Sequence, residues 1–112
     1  MLNLNLYSKD MIFENKKVRE NLIALCIKHN VKLLFAFGSA LRSDFDENSS
    51  DVDLIVELDF ENPVEKGEHL MQLWTELELL FHKKVDLLSS NSIKNPILKQ
   101  EIENSKKLIY AA

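Results

Sequence analysis

The apolar run Val31–Phe37, with the sequence VKLLFAF, constrains the fold more than any other part of the chain. It is nearly continuous and is followed at once by Gly38, a pattern typical of a strand buried on both faces. Such a strand requires a sheet around it and helices to cover that sheet. The length of 112 residues then predicts a single domain over 1–112, with 1–9 as a flexible N-terminal extension.

Helical and strand patterns alternate along the rest of the sequence. Asn62 and Asn95 are each followed by proline, and asparagine as N-cap with proline at the first helical position predicts the start of a helix. We expect an α+β (α/β) fold with a small mixed sheet of about four strands flanked by helices. The predicted elements are a helix over 10–29, strands over 31–37 and 51–58, a helix from 63, a strand over 84–88, a helix over 97–104 and an edge strand over 107–110.

Composition argues against several classes of protein. The net charge of −4 disfavours direct nucleic-acid binding, which needs a basic face. Cys26 is the only cysteine, so no intramolecular disulfide can form, and we expect a cytoplasmic protein. No apolar run approaches the roughly 20 residues that span a bilayer, and the N-terminus does not resemble a secretory signal, so no membrane association is predicted.

Three aspartates are the candidate catalytic residues. Asp51 and Asp53 lie two positions apart on a predicted strand, so their side chains project from one face. Asp86 lies between Val85 and Leu87 in an apolar stretch, and it completes the cluster if the third strand is a neighbour of the second. Grouped carboxylates suit Mg²⁺, which prefers oxygen ligands. We expect two ions held by these three residues, with Asp86 also serving as general base.

The bend after the first strand is the candidate phosphate site. Gly38 allows a phosphate to approach the backbone, Ser39 offers a hydroxyl, and Arg42 adds positive charge nearby. If a short helix follows, its free N–H groups also face the anion.

Together these residues resemble the nucleotidyltransferase superfamily of DNA polymerase beta type, and within it the minimal nucleotidyltransferases. The resemblance rests on the signature residues Gly38, Ser39, Arg42, Ser50, Asp51, Asp53 and Leu54, followed by Val85-Asp86-Leu87. It implies transfer of a nucleoside monophosphate from a nucleoside triphosphate, with ATP as the expected substrate and Ser50 part of the nucleotide site. It also implies a helical HEPN protein as partner, for which the chain acts as antitoxin, in some systems by adenylylating a hydroxyl of the partner.

Other interpretations stay open from the sequence. The alternative to an active enzyme is a non-catalytic antitoxin that neutralises a HEPN toxin by binding alone, and a third, weaker interpretation is modification of a small molecule. Asp51 and Asp53 can be a solvated strand start, Asp86 can pair with a neighbouring lysine, and a homo-oligomer is possible. The three histidines show no metal-ligand spacing and are expected at the surface or at helix ends: His29, His69 and His82.

Overall fold

Helices and strands alternate in the computed structural model, which describes Phe13 and residues 15–37 and 51–112. The predicted N-terminal extension over 1–9 lies outside these residues, as does the predicted helix start at Asp10. The predicted continuous helix over 10–29 is corrected at Asn15, which is extended and caps a helix that begins at Lys16. In chain order the elements are α1 (Lys16–Lys28), β1 (Val31–Phe37), β2 (Val52–Leu58), α2 (Pro63–Phe81), β3 (Val85–Ser89), a 3₁₀ turn (Ser90–Ser92), α3 (Pro96–Ser105) and β4 (Lys107–Ala111).

Asparagine caps begin all three of these helices. The Asn15 side chain accepts from the backbone N–H of Val18 at 3.1 Å. Asn62 and Asn95 each accept two backbone N–H groups, with proline at the first helical position as predicted. Each cap satisfies N–H groups that would otherwise lack a partner within the helix.

Two helical segments are terminated in the left-handed conformation. Asn30 follows α1 with φ 53°, and His82 follows α2 with φ 55°. The sequence favours this conformation at Asn30, because asparagine tolerates it, whereas a left-handed histidine such as His82 is uncommon.

The sheet is mixed and has the strand order β3-β2-β1-β4. β1 pairs antiparallel with both β2 and β4, whereas β2 and β3 are parallel. The parallel pair is possible because α2 carries the chain back across the sheet between them. The predicted α+β architecture with four strands is confirmed, with β2 beginning at Val52 rather than at Asp51.

Helices α1 and α2 pack on one face of the sheet and form the main core. Its fully buried members include Leu22 and Cys26 of α1, Leu77 of α2, and Ala36 and Leu54 of the strands. Burial raises the pKa of the Cys26 thiol to about 12, so this residue is the small buried hydrophobe predicted from the sequence.

Helix α3 lies on the opposite face of the sheet. Its buried Ile102 and its neighbour Lys106 line a cavity together with Phe35 and Ile55, which point away from the main core. Within the described ranges, no helix has the length and apolar character needed to cross a membrane.

Candidate active site at the β1–β2–β3 edge

Two of the predicted catalytic aspartates are direct neighbours across the sheet. In the parallel register of β2 and β3, Asp53 is the partner of Asp86. On its other side Asp53 is the partner of Phe37, the last residue of β1. Residues opposite one another in neighbouring strands project from the same face of the sheet. The carboxylates of Asp53 and Asp86 therefore lie side by side, and Phe37 occupies the same row on β1.

Alternation along the strands directs these carboxylates away from the main core. Val52 and Leu54 flank Asp53 and are completely buried, and Val85 and Leu87 flank Asp86 in the same way. Asp53 and Asp86 are only half-buried, as is Asp51 immediately before β2. The apolar neighbours therefore anchor both strands to α1 and α2 while the acids remain on the opposite face.

Side chains from α2 hold the start of β3 in place. Glu78 Oε2 accepts from the backbone N–H of Val85 at 3.0 Å, and Trp74 Nε1 donates to the Val85 carbonyl at 2.6 Å. The N–H of Val52 donates to the Lys84 carbonyl at 3.0 Å, which joins β2 to β3 at the same level. The backbone N–H and the carbonyl of Val85, the residue before Asp86, are thus each held by a side chain of α2, which restricts where the Asp86 carboxylate can lie.

The role of Glu78 was not predicted from the sequence. Trp74 was assigned to the apolar face of α2, and Glu78 lies one helical turn later on the same side. The four-residue spacing from Trp74 to Glu78 could have indicated this role, because a carboxylate on the buried side of a helix needs a polar partner at the edge of the core.

The predicted phosphate-site residues Gly38, Ser39, Arg42 and Ser50 lie outside the described residues. Topology nevertheless limits where the segment 38–50 begins and ends. Phe37 precedes it and is paired with Asp53, and Asp51 follows it two residues before Asp53. Phe37 and Asp51, the described residues on either side of the segment, therefore lie at the edge of the sheet that carries the aspartates.

The metal ligands predicted at Asp51, Asp53 and Asp86 stay a prediction. Among the residues that the structure describes, no three His, Cys, Asp or Glu side chains converge as the ligands of a metal ion do. Carboxylate oxygens are nevertheless ligands that suit Mg²⁺. The carboxylates of Asp53 and Asp86 are adjacent in the sheet register, and Asp51 lies two residues before Asp53.

A second polar cluster lies away from this edge, at the junction of α1 and α2. His29 is completely buried, and its Nδ1 lies 2.9 Å from Nδ1 of His69 while its Nε2 bonds Glu76. Phe60 stacks on the His69 ring with centroids 4.4 Å apart. His29 lies at a helix end, one of the two positions expected for the histidines, and there it is buried rather than exposed.

Sequence comparison identifies relatives over almost the whole chain. The family model "Polymerase beta, Nucleotidyltransferase" matches residues 20–112. A candidate protein adenylyltransferase of Methanocaldococcus jannaschii is 36% identical over 102 residues, covering 91% of this chain and 92% of the relative. Another from the same organism is 39% identical over 83 residues, covering 74% of this chain and 79% of the relative.

Solved structures share the same fold. A candidate minimal nucleotidyltransferase superposes with a TM-score of 0.66 at 26% identity, covering 85% of this chain and 93% of that one. A chain of a toxin–antitoxin complex with AMP-PNP gives 0.62 at 23% identity, covering 83% and 73%. A chain from the complex of tri-AMPylated Shewanella oneidensis HEPN toxin with an MNT antitoxin gives 0.53 at 20% identity, covering 87% and 72%.

Proposed function

Because this chain belongs to the polymerase beta nucleotidyltransferase family, we propose that it transfers AMP from ATP to a hydroxyl group of a HEPN-family protein. The observation that carries the proposal is the pairing of Asp53 with Asp86 at the sheet edge where the segment 38–50 begins and ends. In this proposal the chain is the cytoplasmic antitoxin of the pair. The archaeal relatives named as candidate protein adenylyltransferases support the type of acceptor.

The proposed reaction is an in-line displacement at phosphorus. The acceptor hydroxyl oxygen forms a bond to the α-phosphorus of ATP, the bond from that phosphorus to the bridging oxygen breaks, and pyrophosphate leaves. The Asp86 carboxylate takes the hydroxyl proton as general base. When bound, Mg²⁺ would neutralise charge on the phosphates and on the leaving pyrophosphate.

The chain's own residues have separate roles in this scheme. Asp51 and Asp53 would hold the metal together with Asp86, the third ligand in the proposal. Gly38, Ser39, Arg42 and Ser50 would bind the triphosphate from the segment that begins after Phe37. The side chains of Trp74 and Glu78 act as positioning residues, because they fix the backbone of Val85 beside the proposed base.

The partner proposal follows from what the structural neighbours assemble with. One is a complex between an MNT antitoxin and a HEPN toxin that carries AMP, and another is a toxin–antitoxin complex with AMP-PNP.

The test is transfer of label from ATP labelled at the α-phosphate, with Mg²⁺ and a HEPN-family protein from the same organism as acceptor. We expect Asp53→Asn to reduce labelling at least 100-fold while the circular dichroism spectrum is unchanged. Asp59→Asn is the matched control, since it makes the same change at the exposed opposite end of β2. Equal labelling by Asp53→Asn and wild type would end the proposal.

A double variant tests whether the chain neutralises the HEPN partner by catalysis or by contact alone. The double variant Asp51→Asn with Asp53→Asn should bind the HEPN partner normally but fail to restore growth of cells that express it. Full rescue by that variant would instead favour a non-catalytic antitoxin.

A further inference from the structure

We propose that His29 and His69 form a pH-sensitive contact between the end of α1 and α2, which holds with at most one added proton and breaks when both rings are charged. The two rings, the histidine pair, meet through their Nδ1 atoms, which lie 2.9 Å apart. The His29 side chain is completely buried, and the ring planes cross at 72° with centroids 5.1 Å apart. This inference does not rest on the proposed function.

The partners of the histidine pair fix where its hydrogens lie. The hydrogen bonds from Lys28 and from His29 hold the pKa of Glu76 below its ordinary value of 4.5, so this group is a carboxylate at neutral pH. A carboxylate only accepts hydrogen bonds, so His29 Nε2 carries the hydrogen of its bond to Glu76. In the neutral ring His29 Nδ1 is then an acceptor, and the hydrogen between the rings belongs to His69 Nδ1.

One added proton leaves this arrangement intact, whereas a second does not. The first is carried at His69 Nε2, which takes no part in the contact, and the charged ring still donates to His29. The site left for a second proton is His29 Nδ1. A hydrogen there would face the hydrogen on His69 Nδ1 across 2.9 Å, so the contact would have two donors and no acceptor. The two rings would have to separate.

The charges around the histidine pair favour the same limit. Glu76 of α2 contacts His29, and Lys28 of α1 contacts the other oxygen of the same carboxylate at 2.6 Å. Two charged rings would therefore share one carboxylate that Lys28 already neutralises. Because His29 has no exposed surface, its charge could not be stabilised by water instead.

The third side of the histidine pair is the connection from β2 to α2. Phe60 stacks on the His69 ring with centroids 4.4 Å apart and planes 21° apart, so this side is apolar. The acidic residues nearest to these two rings in the sequence, Asp59, Glu61 and Glu65, are exposed, and solvent screens their charges. The pair therefore joins the end of α1, the connection that precedes α2, and α2 itself.

The helix that carries His69 also positions β3. Trp74 and Glu78 of α2 hold the backbone of Val85. The histidine pair therefore connects acidification to the helix that fixes the start of β3.

The experiment measures the unfolding equilibrium in urea at pH 7.5 and at pH 5.5. Histidine titrates near pH 6.5, so at pH 5.5 the unfolded chain binds nearly two protons at these positions, whereas the folded pair binds at most one. The unfolded state binds more protons, so stability falls as the pH falls. We expect the unfolding constant to rise about tenfold over this interval, in which carboxyl groups contribute little because they titrate at lower pH.

His69→Gln removes the limit of one proton while it keeps a polar partner for His29. An amide donates through its nitrogen and accepts through its oxygen, so it can pair with His29 Nδ1 in either protonation state. We expect the unfolding constant of this variant to change less than twofold between the two pH values. His82→Gln is the matched control, because it removes an exposed histidine at the end of the same helix and should show the full wild-type rise.

A measurement on the wild-type chain decides the question if His69→Gln does not fold. Nitrogen NMR of the imidazole rings counts the protons that the folded chain binds between pH 7.5 and pH 5.5. We expect at most one added proton on His29 and His69 together, while the exposed His82 takes up a proton of its own. Two charged rings in the folded chain would overturn the inference. A wild-type rise below twofold, or an equal rise in His69→Gln, would overturn it as well.

Discussion

At the scale of single residues, Glu76 links the end of α1 to α2. Its carboxylate accepts from Lys28 Nζ at 2.6 Å and bonds the ring of His29. The hydrogen bond from Lys28, followed by that from His29, holds the pKa of Glu76 below its ordinary value of 4.5. A carboxyl group with a depressed pKa stabilises the fold above its unfolded pKa and loses that contribution as the pH falls through the folded pKa.

Glu76→Gln should therefore lower the free energy of unfolding by about 1 kcal/mol at pH 7, because the charged hydrogen bonds to Lys28 and His29 are weakened. The difference from wild type should shrink as the pH falls below the ordinary value of 4.5, where the wild-type carboxyl becomes protonated. Urea unfolding between pH 7 and pH 3 measures this. Glu68→Gln, at an exposed position of the same helix, should follow the wild-type curve. A constant difference at every pH would contradict the assignment.

Sequence patterns predict which residues of α1 are buried, but they do not predict the polar contacts that buried residues make. The apolar positions Leu22 and Cys26 follow from helical spacing, and both are buried as predicted. The same spacing places His29 on that face, but it does not reveal the polar partners of the ring, because His69 and Glu76 lie 40 and 47 residues later in the chain. Only the packing of α1 against α2 brings those polar groups together and satisfies a histidine that has no exposed surface.

At the scale of elements, the starts of α2 and α3 were the most predictable features, whereas the start of α1 at Lys16 was not predicted. The Asn-Pro pairs begin α2 and α3 where expected, since both the cap and the fixed φ of proline act locally. The end of α2 is also local: His82 takes φ 55°, a region in which a residue with a Cβ atom is strained. The irregularities of β1 against its neighbours could not be predicted, because they depend on strands distant in sequence.

His82→Gly should raise the free energy of unfolding by about 0.5–1 kcal/mol, because glycine adopts a positive φ without a clash at Cβ. His82→Val should lower it, since a β-branched side chain is poorly tolerated there. The measurement is chemical denaturation of the three proteins in one buffer. The side chain of His82 is exposed, so both changes report mainly on the backbone. Destabilisation by glycine would show that the imidazole itself supports the end of the helix.

At the scale of the whole molecule, the candidate site depends on topology that no local pattern contains. The sequence predicts that Asp51 and Asp53 share a face, but Asp86 lies beside Asp53 only because β3 is parallel to β2 and in register with it. The antiparallel pairing of β1 with β2 then places Phe37 beside Asp53. The strand order therefore decides whether Asp53 and Asp86 are neighbours. Before the structure, the resemblance to a family was the main guide to that strand order.

This arrangement predicts that ligand binding and stability are coupled through Asp53 and Asp86. Mg²⁺ with AMP-PNP at tenfold above the dissociation constant should stabilise the folded chain by about 1.4 kcal/mol, because ligands that bind only the native state shift unfolding by mass action. For a domain of this size that raises the melting temperature by about 5–10 °C. The double variant Asp53→Asn with Asp86→Asn should lose most of the shift, and Asp59→Asn should keep it. A full shift in the double variant would place the bound nucleotide away from the carboxylate row, since neutral amides cannot replace two adjacent carboxylates as ligands of a hard cation.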